Sequence, residues 1–145
     1  MTFVYDGTSA TTPTRGYLPR TASSRPPVLI GWTSASASDL LRDQPAAVLG
    51  VTRTAWFGYT ISGTTKAAIH GAVIALNIRA HLRLTGAESW YTVAVHELGH
   101  SVGMAHAGSS HEIMYPVTPP GITDLQAGDL AGLKKVGRSQ GCLNV

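Results

Sequence analysis

The stretch Val93–His106, "VAVHELGHSVGMAH", decides how the rest of the chain is interpreted, because three of the six histidines lie within it. In an α-helix, at about 100° per residue, His96 and His100 are only about 40° apart and reach the same side. Glu97 is about 100° round from His96, so it lies beside the pair without pointing in the same direction. The spacing predicts a helix that directs two imidazoles and one carboxylate into a cleft.

Gly103 predicts where that helix ends, shortly after His100. Glycine adopts the left-handed backbone conformation readily and lets the chain reverse. After such a turn His106 can reach an ion held by the first two histidines, whereas in a continued helix it would be about 240° from His100. Three imidazoles with an open fourth position are typical of catalytic zinc sites. The predicted Zn²⁺ ligands are therefore His96, His100 and His106, and the predicted catalytic base is Glu97.

Other interpretations of these histidines follow from the residues alone. Histidines on a helix are commonly exposed residues without a metal, and the pattern His-Glu-x-x-His is short enough to arise by chance. The glycine and the third histidine at fixed offsets favour the metal site. His111 could compete as third ligand, but no glycine turn places it, and we expect it in a loop. His70 and His81 lie away from a second ligand pair and are expected to be ordinary strand and loop residues. A purely structural zinc site is disfavoured, because such sites usually have four protein ligands.

The composition is that of a weakly charged, folded protein. The 145 residues are 43% hydrophobic and 13% charged, with a net charge of +3, which indicates one globular domain rather than disorder. The basic residues are scattered and form no stripe with interleaved aromatics, so we expect no nucleic-acid partner. No apolar run approaches the roughly 18 residues of a membrane span, and no signal peptide is visible. Cys142 is the single cysteine, so no disulfide can form within the chain.

Three apolar segments rich in β-branched and aromatic residues predict strands. They are Val28–Trp32, Val48–Gly58 and Ala67–Asn77. The first is nearly continuous in apolar residues, which is typical of a strand buried on both faces. The second is interrupted by polar residues between Val51 and Trp56, which suits an edge strand. Thr2–Tyr5 is a candidate for a further strand.

Two helices are predicted after these strands. Thr85 and Glu88 fit a capping box at the start of the first helix. An apolar stripe at helical spacing is expected to face the core, opposite the histidines. Its members are Tyr91, Val95, Leu98 and Val102. Thr123 and Gln126 repeat the capping-box pattern, and the second helix is expected to end near Gly137. Strands followed by helices predict an α+β fold.

The run "HELGHSVGMAH" at His96–His106, followed by Met114-Tyr115-Pro116, resembles the metzincin zinc peptidases. Within these it is most similar to matrixin-like members found among secreted bacterial proteins. The resemblance implies a zincin-like catalytic domain: a mixed, mostly parallel, twisted sheet with an active-site helix and a C-terminal helix. Met114 corresponds to the family's Met-turn, a tight 1,4-turn beneath the metal whose role is packing rather than ligation.

The resemblance also implies roles for the strands. Val28–Trp32 would match the family's third strand, Val48–Trp56 its antiparallel edge strand above the cleft, and Ala67–Asn77 the strand before the active-site helix. A peptide substrate would add to the edge strand by backbone hydrogen bonds. The substrate-binding residues would then be Val51, Thr52, Arg53, Thr54 and Ala55. The residues after the Met-turn, 116–120, would form part of the wall of the S1′ pocket.

The sequence departs from the family in two ways. The family begins with a strand and a long helix ahead of anything similar to Thr2–Tyr5, so we expect residues 1–145 to be a single catalytic domain truncated at its N-terminus. In relatives a C-terminal cysteine can pair with one near the N-terminus, which offers an account of Cys142. No His/Asp cluster between residues 33 and 66 resembles the structural zinc and calcium loop of animal matrixins, and a calcium requirement is left open.

The function implied by the resemblance is that of a secreted, monomeric zinc-dependent endopeptidase. The three histidines would hold the metal, and Glu97 would take a proton from the zinc-bound water as it attacks the scissile carbonyl. Protein or peptide substrates are expected, with neither nucleic acid nor membrane as a partner. The alternative is a catalytically silent zinc-binding protein or fragment.

Overall fold

The computed structural model describes residues 4–136. A short 3-10 helix at Arg15–Tyr17 precedes three strands and two helices. They are β1 (Leu29–Thr33), β2 (Gly50–Ile61), β3 (Thr64–Asn77), α1 (Trp90–Ser101) and α2 (Ala127–Val136). Strands followed by helices confirm the predicted α+β class. Among the residues described, no helix is long and apolar enough to cross a membrane.

The three strands form one sheet in the order β1–β3–β2. β1 runs parallel to β3, whereas β2 pairs antiparallel with β3 along its whole length. A turn at Ser62 and Gly63, with φ values of 50° and 76°, joins β2 to β3, and so tight a connection allows only an antiparallel pair. The sheet is mixed as predicted, but the expectation that it is mostly parallel is wrong for the strands described, because the longer pairing is antiparallel.

β1 is not buried on both faces as its apolar run predicted. Ile30 and Trp32 are 40% and 55% exposed. Within residues 4–136, β1 has a neighbour on one side only, so the sheet covers less of it than a central strand. Its inner residue Leu29 packs on the core, and Trp32 makes an edge-to-face contact with Trp90 of α1.

Within residues 4–136, β2 is an edge strand, as predicted, and β3 is the central strand that organises the core. Side chains of β3 alternate between two apolar clusters, one on each face of the sheet. The first cluster contains Leu40, Leu41, Val51, Val73 and Ala75. The second contains Ile74, Leu76, Trp90 and Val93, and fixes α1 on the sheet.

The start of α1 differs from the prediction. Its N-cap is Ser89, whose side chain accepts from the Thr92 amide while the Thr92 hydroxyl accepts from the Ser89 amide. Gly86 and Glu88 have φ values of 94° and 52°, which no right-handed helix contains. The capping box predicted at Thr85 and Glu88 is therefore wrong, and the true box lies a turn later.

The predicted stripe contributes Leu98 to the face of α1 that packs on the sheet, but the rest of that face is different. Tyr91 is 44% exposed, and the other three stripe residues are only half-buried. Trp90, Val93 and Glu97 are buried instead. Val93 and Glu97 are four residues apart and share one face, so packing Val93 on the sheet turns Glu97 towards β2.

The chain ends also differ from expectation. α2 begins at Ala127 rather than near Thr123. Val4 and Tyr5 belong to no strand. The remainder of the Thr2–Tyr5 segment, the predicted helix end at Gly137, and Cys142 lie outside the residues described.

Candidate metal centre and cleft

α1 and the turn after it bring His96, His100 and His106 together. The Nε2 atom of His100 lies 3.1 Å from Nε2 of His96 and 3.2 Å from Nε2 of His106. The three ligand nitrogens all lie within 4.8 Å of one another. Within residues 4–136 this is the one group of His, Cys, Asp or Glu side chains with the geometry to hold a metal ion.

Gly103 produces the turn that returns His106 to the helix. Its φ of 99° is in the left-handed region that glycine tolerates best. The amide of Gly103 donates to the His100 carbonyl, and the amide of Met104 donates to the Gly99 carbonyl, at 3.0 and 3.1 Å. This pair of bonds is the Schellman motif, which closes a helix and satisfies its last carbonyls.

The ring nitrogens of two histidines have their protonation fixed by backbone carbonyls. Nδ1 of His96 lies 2.7 Å from the Ile113 carbonyl oxygen, and Nδ1 of His100 lies 2.8 Å from that of Met104. A carbonyl can only accept, so each Nδ1 carries the proton and each Nε2 keeps its lone pair. Two such lone pairs at 3.1 Å cannot hydrogen-bond to each other, and a cation between them removes their repulsion.

The separations of His100 Nε2 from the other two nitrogens fit zinc. With Zn–N bonds of about 2.0–2.1 Å, two ligand nitrogens of a tetrahedral site are about 3.3–3.4 Å apart. The 3.1 and 3.2 Å separations in this cluster are close to that value. The carbonyl bonds to Nδ1 also orient the rings, as is common for metal-binding histidines.

Loss of solvation favours the neutral forms of two of the three histidines, His96 and the more exposed His106. Burial lowers the pKa of His96 to about 4. The hydrogen bond to the Ile113 carbonyl raises this pKa, whereas the neighbouring His100 and His106 lower it further. The pKa of His106 is also lowered, by burial and then by His100. Neutral imidazole is the form that binds a metal, so these shifts favour binding at neutral pH.

Glu97 lies between α1 and β2 and is only 6% exposed. The hydroxyl of Thr52 is 2.6 Å from Oε2 of Glu97 and 3.0 Å from its backbone carbonyl oxygen. Burial raises the pKa of Glu97, while the Thr52 hydrogen bond, His100 and Arg53 act in the opposite direction. Sequence reasoning identified Glu97 but did not identify Thr52 as its partner, because no local pattern connects residues 45 positions apart.

Met114 lies in a tight turn against the middle of α1. The amide of Tyr115 donates to the Glu112 carbonyl over 3.1 Å, which makes Met114 the third residue of a 1,4-turn. The Met114 side chain is buried, and its sulfur is so close to Gly99 that a Cβ at that position would overlap it. The turn therefore packs on the helix between the positions of its two histidines.

Asp129 of α2 holds this turn and was not identified from the sequence. Its carboxylate accepts the amides of Ile113, Met114 and Gln126 at 2.9, 3.1 and 2.8 Å, and it is 1% exposed. Ile113 therefore links Asp129 to His96, because its amide donates to the Asp129 carboxylate and its carbonyl accepts from His96. An acid in the first turn of a helix is a weak signal for such a role, because most of these acids are exposed.

Glu112 makes the reciprocal contact. Its carboxylate accepts the amides of Gly128 and Asp129 at 3.1 and 2.9 Å, at the N-terminus of α2. Helix N-termini have unpaired amides and a partial positive charge, so a carboxylate there is stabilising. The turn and α2 thus each supply an acid to the other's backbone.

A cleft of about 910 Å³ contains the cluster and runs along β2. The predicted edge-strand residues that line it are Val51, Thr52, Arg53 and Thr54, whereas Ala55 does not. Trp56 and residues 115–119 also line the cleft. The strand and the segment after the Met114 turn therefore form parts of the same groove.

The other histidines lie away from the cluster. His81 and His111 are exposed and lie outside the helices and strands. His70 is buried on β3, where its Nε2 is 2.5 Å from the Tyr59 hydroxyl. None of the three joins the group that could hold a metal.

Comparison with known proteins gives the family of the chain. The sequence model of the family described as matrixin matches residues 31–136, from β1 to the end of α2. Searches of curated proteins and of solved structures returned no match. The matched region covers most of the chain and contains the whole histidine cluster, Glu97 and the Met114 turn. The chain belongs to the matrixin family.

Proposed function

We propose that this matrixin is a zinc-dependent endopeptidase that hydrolyses internal peptide bonds of protein substrates. The observation that carries the proposal is the convergence of three histidine Nε2 atoms beside a buried carboxylate in an open cleft. The family implies a metallopeptidase and protein substrates. Three protein ligands leave a coordination position free, which a catalytic site needs and a structural site usually lacks.

The ligands and the acid have separate tasks in this proposal. Zinc, when bound, supplies a Lewis acid that polarises a carbonyl group and makes water more acidic. His96, His100 and His106 hold it as neutral imidazoles. Glu97 accepts a proton from the attacking water and passes it to the leaving amine. Oε1 of Glu97 has no hydrogen-bond partner among the described residues, so it is the oxygen available for this proton.

β2 offers the surface for the peptide. It pairs with β3 on one side, and within residues 4–136 no strand pairs with its other edge. An extended peptide can add to that edge by backbone hydrogen bonds along Val51–Ala55. Tyr115 and Pro116 contribute to the wall of the same cleft. A peptide held there would pass directly in front of the histidine cluster.

Zinc analysis and casein cleavage by the purified chain test the proposal. We expect one zinc per chain and cleavage that is abolished by a chelator and by a hydroxamate. Glu97→Gln should retain zinc and lose at least about 100-fold in kcat, because a general base contributes about 10²–10⁴. Asp43→Asn, an exposed carboxylate-to-amide change, is the matched control. A folded, zinc-loaded protein without cleavage would instead support the catalytically silent alternative.

A further inference from the structure

The contact between Thr52 and the Glu97 carboxylate is at the short end of the range of hydroxyl hydrogen bonds. Thr52 Oγ1 lies 2.6 Å from the carboxylate Oε2 but 3.0 Å from the Glu97 carbonyl oxygen. A hydroxyl has a single proton to donate, and the shorter distance is that of a charge-assisted O–H···O⁻ bond. Thr52 therefore donates chiefly to the carboxylate, across the boundary between β2 and α1.

Gly50, also on β2, leaves the space that the Glu97 side chain occupies. A Cβ at Gly50 would come within 2.8 Å of both Cγ and Oε1 of Glu97. Gly50 does not have a positive φ, so the backbone does not require glycine there. The absence of a side chain provides the space that Glu97 occupies. Gly50 and Thr52 are two residues apart and lie on one face of β2, where they bracket the carboxylate.

We propose that Thr52 is a positioning residue, which fixes the rotamer of Glu97 by binding Oε2 and leaves Oε1 to face the attacking water. This inference rests on the proposed peptidase function. A glutamate side chain has three rotatable bonds, and the oxygen of a base must lie within about 3.2 Å of the heavy atom whose proton it takes. The hydrogen bond removes that freedom, and it satisfies an oxygen that would otherwise be buried without a partner.

A purely structural role for Thr52 makes a different prediction. The hydroxyl could serve only to tie β2 to α1 through the backbone carbonyl of Glu97, 3.0 Å away. In that case its loss would lower stability whatever side chain stands at position 97. The positioning role requires coupling between the hydroxyl and the carboxylate.

Kinetics of three variants test the inference. Thr52→Val replaces the hydroxyl by a methyl group of similar size, and we expect kcat to fall about 10- to 100-fold, since a small displacement of a catalytic group costs about that much. KM and zinc affinity, measured against a chromophoric chelator, should stay within about twofold. Thr52→Ser restores the hydroxyl and should recover most of kcat. Thr60→Val, an exposed residue of the same strand, is the control. Wild-type kcat in Thr52→Val, or equal loss in Thr52→Ser, would overturn the proposal.

A double-mutant cycle gives a reading that does not depend on activity. In the zinc-free protein, Thr52→Val should lower Tm more in the wild-type background than in Glu97→Ala, because only the first contains the carboxylate. Equal shifts in both backgrounds would refute the positioning role. If the wild-type chain cleaves nothing, the peptidase proposal fails, and unequal Tm shifts would still establish the Thr52–Glu97 coupling. If Thr52→Val does not fold, Thr52→Ala takes its place in the cycle.

Discussion

His96 donates its Nδ1 proton to the carbonyl oxygen of Ile113 over 2.7 Å, and this bond ties α1 to the Met114 turn. The Ile113 amide donates in turn to the buried carboxylate of Asp129. A candidate metal ligand is therefore oriented by a residue of α2 that does not touch it. Asp129, Ile113 and His96 thus form a hydrogen-bond relay between α2 and the histidine cluster.

Asp129→Asn should destabilise the protein and weaken metal binding. The asparagine side chain has an NH2 group where Asp129 has an oxygen, so at least one of the three backbone amides would lose its acceptor. A buried amide without a partner costs about 1–3 kcal/mol. Zinc affinity should fall about 10-fold, as when the partner of a ligand is lost. Urea unfolding and chelator competition measure the two effects. Asp124→Asn, at an exposed position in the segment before α2, should change stability by less than about 0.5 kcal/mol. Unchanged zinc affinity in Asp129→Asn would contradict the relay.

Gly50→Ala should lower turnover without removing the metal. The new methyl group would meet Glu97 at 2.8 Å and displace its carboxylate, so kcat should fall about 10-fold or more. Overpacking of this kind also costs about 1–3 kcal/mol of stability. The matched control is Gly58→Ala on the same strand, where the nearest heavy atom, of Thr65, is 3.9 Å from the new Cβ. Equal kcat values in the two variants would show that Gly50 does not limit the carboxylate.

Gly103→Ala should weaken zinc binding through His106. Alanine at a φ of 99° is strained by about 1–2 kcal/mol, and its Cβ would approach Trp56 and Ile69 to 3.3 and 3.4 Å. A relaxed turn would no longer direct His106 at the other two histidines. Isothermal titration with zinc should therefore show a higher Kd. Gly108→Ala has neither a positive φ nor a neighbour within 4 Å, and it should bind zinc as the wild type does.

The zinc-free protein should lose stability in mild acid because of His96. Its pKa falls from 6.5 to about 4 on folding, so between these values the unfolded chain binds the extra proton. The contribution of His96 is complete above about pH 6.5 and is lost as the pH falls towards 4. Its size is on the order of 3 kcal/mol. Glu97, whose pKa is raised, acts with the opposite sign, so stability is best compared between variants.

His96→Asn isolates this contribution. Asparagine keeps a donor for the Ile113 carbonyl but cannot titrate, so its unfolding free energy should fall less between pH 6.5 and 4.5 than that of the wild type. His111→Asn, at an exposed loop position, should follow the wild type. Parallel curves for wild type and His96→Asn would show that folding does not lower the pKa of His96.

The histidine cluster was predictable because its determinants are local. His96 and His100 are set by helical periodicity, and the glycine turn that returns His106 is encoded within the same short stretch. The strand segments were also predictable, since β-branched and aromatic runs mark them and Asn77 ends β3 where its pattern ends.

The errors arose where tertiary contacts choose between local options. Thr85 and Ser89 both precede residues suited to a helical turn. Because Glu88 has a left-handed backbone, no helix can run through it, and α1 is capped by Ser89. The buried face of α1 is set by where the sheet lies, so the regular spacing from Tyr91 to Val102 did not determine it. The partners of Glu97 come from another strand, and no pattern in α1 could have indicated them.

Glu112 in the turn and Asp129 in α2 each bind backbone amides of the other's segment, and this couples the local unfolding of the two segments. Residues 107–126 contain no helix or strand, yet Ile113 and Met114 in this segment donate their amides to Asp129. At the start of α2, Gly128 and Asp129 donate their amides to Glu112. Releasing Asp129 frees the amides of Ile113 and Met114 in the turn, and releasing Glu112 frees those of Gly128 and Asp129 in the helix, so each contact holds one segment to the other. The four amides should therefore exchange with deuterium together, as one cooperative unit, rather than at the separate rates expected of a loop.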